Sequence, residues 1–423
     1  MKRIVNFLVL TYCLIGLASA QQTSINLDSC QKWARENYPM IAQFDLINAT
    51  RDYTVSNANT LYIPQINLMG IAGVVDGIPN LSMPSPTGAP TADADPFKLI
   101  GVINLNQTIW DGGMIMKQKR IAKANAEVEA GNVELNLYAL KERVSNLYFG
   151  ILLSQEQLKQ INLQEEDLLQ NLKTVQVSVE NGAAYNSDID ELKVALLNLS
   201  QTRVQMDNTL KAYANMLSSM TAKKISPSVL VEEPNLDLTL NSTEIHRPEL
   251  NLFEKRKNFY QAHNAGAGEV LPTLSLIGVG VFLTPGVDIM TSSINHLLMG
   301  GLSLSWKLGG TAYTFGNDRK RLKIEKERVD VEKESFLFNT KLQMTQVTEE
   351  IQKWNAMIVS DQEIVRLRTS LKQAAQTKYN NGVISMNTLL KAINEETTAL
   401  QNQSLHNIQR LMSLYQYQII TGN

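Results

Sequence analysis

Apolar positions along this chain recur in two rhythms, one belonging to long helices and the other to short strands. From Leu137, positions 137, 140, 144, 147, 151, 154, 158, 161, 165, 168, 172, 175 and 179 advance in alternating steps of three and four. They read Leu, Leu, Val, Leu, Ile, Ser, Leu, Ile, Glu, Leu, Leu, Val and Val. Such spacing marks a coiled-coil seam, interrupted here at Ser154 and Glu165. A second run repeats it at Ile189, Leu192, Leu196, Leu199, Met206, Leu210, Tyr213, Leu217 and Met220, with Arg203 as its exception. The first run predicts a helix from about 114 to 179, roughly 100 Å long at about 1.5 Å per residue. No compact domain holds such a rod, although a plain dimeric coiled coil would. Further on, Met344, Val347, Ile351, Trp354 and Ile358 fit one seam, while Ile364, Leu367 and Leu371 fit one shifted by a residue. A shift of that kind predicts a local change of winding.

Four shorter stretches alternate with period two instead. In the first, Ile66, Leu68, Gly70, Ala72 and Val74 share a face against Gln65, Asn67, Met69 and Ile71. In the second, Leu99, Gly101, Ile103 and Leu105 oppose Lys98, Ile100, Val102, Asn104 and Asn106. A third sets Leu274, Leu276, Gly278 and Phe282 against Thr273, Ser275 and Ile277. The fourth sets Leu302, Leu304 and Trp306 against Ser303 and Ser305. An apolar face opposite Asn, Gln, Ser and Thr suits a barrel with lipid outside and water inside, and equally a half-buried strand of a soluble sandwich. In lipid, four strands cannot stand alone, because open edges leave N–H and C=O groups unpaired. Bacterial barrels begin at about eight strands, so two or more chains must combine, and the pattern does not choose among two, three and four.

The chain is written twice. Asn181-Gly182 and Asn381-Gly382 stand 200 positions apart, each joining two heptad-like stretches. Pro64 and Pro272 open matched strand segments 208 apart, and Pro39 and Pro248 lie 209 apart in the leading helices. The longer spacing upstream places an insertion in the first copy, within 76–97, where five prolines predict a surface loop. Each copy therefore has one order: a helix, two strands around a loop, a very long helix, a tight turn and a returning helix. The expected organisation is a signal segment at 1–20, a first repeat at 21–221, a linker at 222–245 and a second repeat at 246–423.

Composition narrows the class. Lys and Arg number 39 against 41 Asp and Glu, a formal charge of −2, so no basic face for nucleic acid is expected. Lys2 and Arg3, an apolar run from Ile4 to Leu17, and Ala18-Ser19-Ala20 read as a cleavable secretory signal. After Ala20 no apolar run approaches the ~18–20 residues of a membrane-crossing helix, so entry into a membrane would have to use β-strands. Cys30 is then the one thiol of the mature chain, without an internal disulfide partner, and is expected to be buried.

With these elements in order, the chain resembles the TolC-type outer-membrane efflux family over essentially its whole mature length. The resemblance rests on Asn37-Tyr38-Pro39 and Arg247-Pro248-Glu249-Leu250 in the leading helices and on the two strand-opening prolines. Gln107-Thr108-Ile109-Trp110-Asp111-Gly112-Gly113 and Leu302-Ser303-Leu304-Ser305-Trp306-Lys307-Leu308 resemble the family's strand endings. Asn181-Gly182 with Asp188, and Tyr379-Asn380-Asn381-Gly382 with Ser385, resemble its hairpin tips. The resemblance implies a mainly α fold with a small β part, assembled as a homotrimer. Three chains would form a trimeric α-barrel across the periplasm, continuous with a 12-stranded barrel in outer-membrane lipid of a Gram-negative bacterium. It further implies an exit duct for efflux or type I secretion, joined through a periplasmic adaptor protein to an inner-membrane pump.

Residue by residue, the resemblance implies adaptor contacts at Asn181, Gly182, Ala183, Asn381, Gly382 and Val383. Taken alone, both glycines are simply left-handed turn residues. Asp188 and Tyr379 match positions that take part in the family's closed-tip links, so a hydrogen bond between them is expected. The family's arginine partner is replaced by Ile384, which cannot pair with Asp188. Thr388 and Lys391 occupy the positions of an acidic ring in well-known members, so a cation-binding ring is not expected here. Nor are catalytic residues, cofactors or metals expected. No two of His246, His263, His296 and His406 share a ligand spacing on one helix face, and no P-loop, nucleophile elbow or zinc-protease motif occurs. Glu165, Glu166 and Asp167 read as a solvated face. The competing reading is a periplasmic or surface coiled-coil structural protein without channel activity. Against it stand the strand pairs, for which a rod has no use.

Overall fold

In a computed structural model, residues 24–74, 97–234, 244–264, 270–289, 292–307 and 309–422 are described. The expected signal segment and nearly all of the expected loop at 76–97 lie outside these residues. The first half of the chain runs α1 (Leu27–Asn37), a 3-10 turn (Pro39–Ala42), α2 (Gln43–Thr60), β1 (Gln65–Val74), β2 (Phe97–Trp110), α3 (Met114–Glu180) and α4 (Asn186–Thr221). The second runs α5 (Pro248–Asn264), β3 (Thr273–Ile289), β4 (Ser292–Ser305), α6 (Gly310–Asn380) and α7 (Met386–Thr421). The order anticipated for both copies is thus present, with 67 residues in α3 and 71 in α6. Both strand-opening prolines stand immediately before β1 and β3, where a missing N–H costs the ladder nothing. Among the described residues no helix is long and apolar enough to cross a membrane.

The chain divides into two units, each drawing on both halves of the sequence. One comprises α1, α4, α7 and the tip-ward lengths of α3 and α6. Its core confirms the seam: Leu137, Leu140, Val144, Leu147, Ile151, Ile161, Leu168 and Val175 are all buried on α3. The two polar interruptions are accommodated differently. Ser154 donates its hydroxyl to the carbonyl of Gly150, one turn back, at 2.8 Å. Glu165 meets Arg203, the exception of the returning seam, at 2.6 Å. The two irregularities of the pattern are one ion pair.

Cys30 is buried, and its burial pushes the thiol up to about 11, so it is an inert packing residue. Tyr148 is fully buried, its hydroxyl 2.9 Å from the carbonyl of Ile25 and 2.6 Å from that of Glu232. Those carbonyls flank a parallel bridge between Ile25 and Val231, which ties the segment following α4 to the start of the chain. Gln155 adds side-chain bonds to the carbonyls of Pro227 and Val229.

The shifted seam of α6 is not packed against other described residues of the chain. Ile364, Leu367 and Leu371 are 45%, 46% and 55% exposed. The face that α6 turns inward keeps the original step beyond Ile358 and becomes polar, at Asp361, Arg368, Lys372 and Tyr379. Asp361 meets His406 of α7 at 2.7 Å, and Trp354 stacks on the same imidazole. Periodicity was followed through the apolar residues, whereas ion pairs and hydrogen bonds hold the inward register. The apolar stripe belongs to another face.

The second unit contains the sheet, with the outer lengths of α3 and α6, α2 and most of α5. All neighbours are antiparallel, in the order β1-β2-β3-β4, so β1 and β4 are its edges. Where β2 gives way to α3, Asp111 accepts the N–H groups of Gly113 and Ile115, capping the helix. Register fixes which side chains share a face. Rows Ile66–Leu105–Gly278–Gly300 and Leu68–Ile103–Gly280–Leu298 lie on one side, with Leu276–Leu302 and Leu274–Leu304 beside them. The opposite side carries Thr108–Ser275–Ser303, Gln65–Asn106–Ile277–Gly301, Asn67–Asn104–Val279–Met299 and Met69–Val102–Val281–Leu297. Its uncharged polar residues gather at the end near the helices, and Lys98, paired with Gly73, stands at the far end. Between them, beyond the second of these rows, the face fades into aliphatic residues.

Candidate functional site

The two hairpin turns are alike in backbone detail. The N–H of Gly182 donates to the carbonyl of Val179 and that of Ala183 to Ser178, at 3.0 and 2.7 Å. Gly382 and Val383 repeat this with Tyr379 and Lys378, at 2.8 and 2.9 Å. Each is a helix ending of the kind that closes with a left-handed residue, and both glycines have φ of +71°. A side chain there would be strained whatever space surrounds it. Asn181 and Asn381 each send their side-chain amide back one turn, to the carbonyls of Val177 and Thr377. Ala183 and Val383, together with both glycines and both asparagines, are exposed. The tips therefore present short, rigid and largely uncharged surfaces.

Beyond each tip a cap starts the returning helix. The Tyr185 N–H donates to the Asp188 carboxylate at 3.3 Å, and the Ser385 hydroxyl accepts the Thr388 N–H at 3.4 Å. Asp188 also faces Tyr379 across the hairpins. Burial, then the charges of Asp188 and Glu191, then a hydrogen bond to Asp188 push the Tyr379 phenol up to about 12. One oxygen of Glu191 is buried without a hydrogen-bond partner among the described residues. The structure thus brings Asp188 and Tyr379 together. Ile384 is half-buried, while Thr388 and Lys391 are exposed. Lys391 lines a groove of about 1,210 Å³ between α4 and α7, with Asp190, Asn198, Asn394 and Thr398 along its walls. Thr388 bonds locally, its hydroxyl 3.1 Å from that of Ser385.

A second set of links, above the tip, escaped the sequence reading. Lys372 of α6 reaches Asp167 of α3 at 2.7 Å and Glu396 of α7 at 2.6 Å. Burial alone would lower the lysine pKa, but its bonds to both carboxylates raise it. Arg368 pairs with Glu395, and Gln164 donates to Asn394 at 3.1 Å. Two of the three acidic residues read as a solvated face are therefore ion-paired: Glu165 with Arg203, and Asp167 with Lys372. Only Glu166 is exposed. The missed signal is that Lys372 continues the Met344-to-Ile358 step. Below it, Ile161, Leu168, Leu192, Met386, Leu389 and Ile393 form an apolar layer shared by both hairpins.

Two outcomes test these links. Replacing Lys372 with Met strands the buried Glu396 carboxylate and is expected to cost about 1–3 kcal/mol of stability. Adding Glu396→Leu should recover most of that loss in the thermal midpoint of detergent-purified protein. For Tyr379, whose folded pKa lies above the ordinary ~10, the stabilisation is full below that pH and disappears as pH rises through 12. Tyr379→Phe should cost about 1 kcal/mol at neutral pH and narrow its deficit to wild type between pH 10 and 12, followed by thermal unfolding. Asp188→Ala is the poorer probe, since it also removes a helix cap.

No protein-family model matches the sequence, and no curated protein matches it. Solved structures do. The outer membrane protein VceC of Vibrio cholerae aligns with a TM-score of 0.65 at 12% identity, over 93% of this chain and 96% of that one. The CmeC outer membrane channel of Campylobacter jejuni aligns at 0.64 and 13% identity, over 94% and 85%. The open state of the MtrE outer membrane channel of Neisseria gonorrhoeae gives 0.63 and 12%, over 94% and 89%. Across nearly its whole length, this chain has the fold of these outer-membrane channels.

Proposed function

We propose that this chain is one protomer of a trimeric exit duct of the TolC type, seated in the outer membrane of a Gram-negative bacterium with a long periplasmic extension. The observation that carries the reading is the sheet. One face is aliphatic from Leu274–Leu304 to Leu68–Ile103–Leu298, and among the described residues each edge strand is paired on one side only. In hydrocarbon such edges are tolerated only when neighbouring copies pair with them. Three copies make twelve strands, a barrel wide enough for a channel. The helices support the same assembly: Val194, Leu197 and Val204 on α4, and Phe338, Leu342, Ile364, Leu367 and Leu371 on α6, are exposed apolar residues at heptad-like spacing. The likeness to outer-membrane channels adds weight to this reading and none to a structural rod.

In this assembly the duct does no chemistry, and energy for transport comes from an inner-membrane pump. Asn181, Gly182, Ala183, Asn381, Gly382 and Val383 form the surface for a periplasmic adaptor. Asp188 and Tyr379 hold the tip, Ile384 and Thr388 leave it without the family's other polar links, and Lys391 faces the pore. The segment at 222–245 serves as the equatorial linker between repeats at 21–221 and 246–423, and residues 1–20 are the secretory signal.

Cell fractionation should place the protein in the outer membrane, with a three-chain band in unheated electrophoresis that collapses on heating. A water-soluble single chain would overturn the reading. Val383, exposed and with a side chain that packs on nothing essential to the turn, separates adaptor contact from folding. Val383→Asp should weaken adaptor pull-down at least tenfold while leaving the thermal midpoint within about 1 °C, as for a surface substitution.

A further inference from the structure

The inner wall of a protein duct is ordinarily polar, so its apolar reach is informative. On the face opposite the aliphatic one, the rows grade steadily. Thr108–Ser275–Ser303 is wholly polar, Asn67–Asn104–Val279–Met299 is divided, and Met69–Val102–Val281–Leu297 is aliphatic on all four strands. Ile71 and Ile100 continue it one row further. The next row on this face pairs Gly73 with Lys98, so the aliphatic rows lie between polar residues on one side and a cation on the other. Met69 and Leu297 are exposed, so the row is not packed under other parts of the chain. Unbroken pairing from Asn67–Asn104 to Met69–Val102 keeps the row on the side of the polar residues, while the other face carries Leu68, Ile103 and Leu298, with His296 one row beyond.

We propose that Met69, Val102, Val281 and Leu297 form an aliphatic collar around the lumen, which contacts the apolar body of amphiphilic small molecules in transit. This rests on the exit-duct reading, which makes that face the inner wall. Water beside such a row finds no hydrogen-bond partner, so an alkyl or aryl group displaces it favourably, in proportion to the area covered. The polar rows toward the helices remain hydrated and suit the other end of the same molecule. The face as a whole matches an amphiphile better than a bare ion, which would gain nothing from the collar.

Planar-bilayer recording of the full-length protein tests this, with tetraalkylammonium ions added from the barrel side so that they need not pass the tip. Tetrapentylammonium should block single channels with dwell times that exceed those of tetramethylammonium. In Val102→Asn/Val281→Asn, its dwell should shorten about tenfold, the factor for roughly 60 Å² of apolar contact, with tetramethylammonium unaffected. Dwell times independent of alkyl length, or unchanged in the variant, would overturn the collar. The milder Val102→Thr/Val281→Thr serves if the asparagine variant does not insert. Failure of both to insert would mean that this face meets lipid, which also overturns it. A wild-type protein that forms no channel at all counts against the exit-duct reading instead.

Discussion

Backbone groups along the outer edges of β1 and β4 have hydrogen-bonding capacity that no other described strand of the chain fills. In water that is a minor matter, since solvent completes the set. In hydrocarbon each orphaned group costs several kcal/mol, and a row of them is prohibitive. In the proposed duct, neighbouring copies of the chain would supply the missing partners. The apolar residues left exposed on α4 and α6 would be covered in the same assembly.

Within the single chain, helices are joined by two means that act at different levels. Apolar seams bury Leu, Ile and Val along α3 and its return, supplying the bulk of the packing. Polar links set the registry within hairpins, Glu165 with Arg203, Glu396 with Lys372 and Asp361 with His406, and between them, Asp167 with Lys372 and Asp188 with Tyr379. Partly buried links of this kind cost desolvation and reward one geometry over its neighbours. They concentrate in the stretch approaching the tips, where α6 gives up its apolar seam. A tip held by specific polar contacts can be released by disturbing a few of them, whereas a continuous aliphatic seam would resist release along its length.

Polarity of the sheet adds a third element. The face that carries Thr108, Asn104 and Asn67 near the helices turns aliphatic farther out before Lys98, which differs from a simple division into one apolar and one polar side. Met69, Ile71, Ile100 and Val102 alternate on the side that carries Gln65, Asn67, Asn104 and Asn106. Alternation fixes which residues share a face. It does not fix what that face must meet.

Residue order alone determined the duplicated architecture, both helical hairpins and all four strands, because period, proline position and Asn-Gly turns are local properties of the chain. The tip glycines were legible for the same reason, whereas the Asp188–Tyr379 pair was implied by the family resemblance alone. Three matters needed tertiary structure. Arg203 and Glu165 looked like separate defects until antiparallel packing brought them together. Lys372 looked like one more surface cation until α3, α6 and α7 converged on it. Ile364, Leu367 and Leu371 looked like a continuing seam until ion pairs claimed the inward face. Each depends on residues tens to hundreds of positions apart, and the energy of a charge or an apolar side chain is set by its neighbours in space.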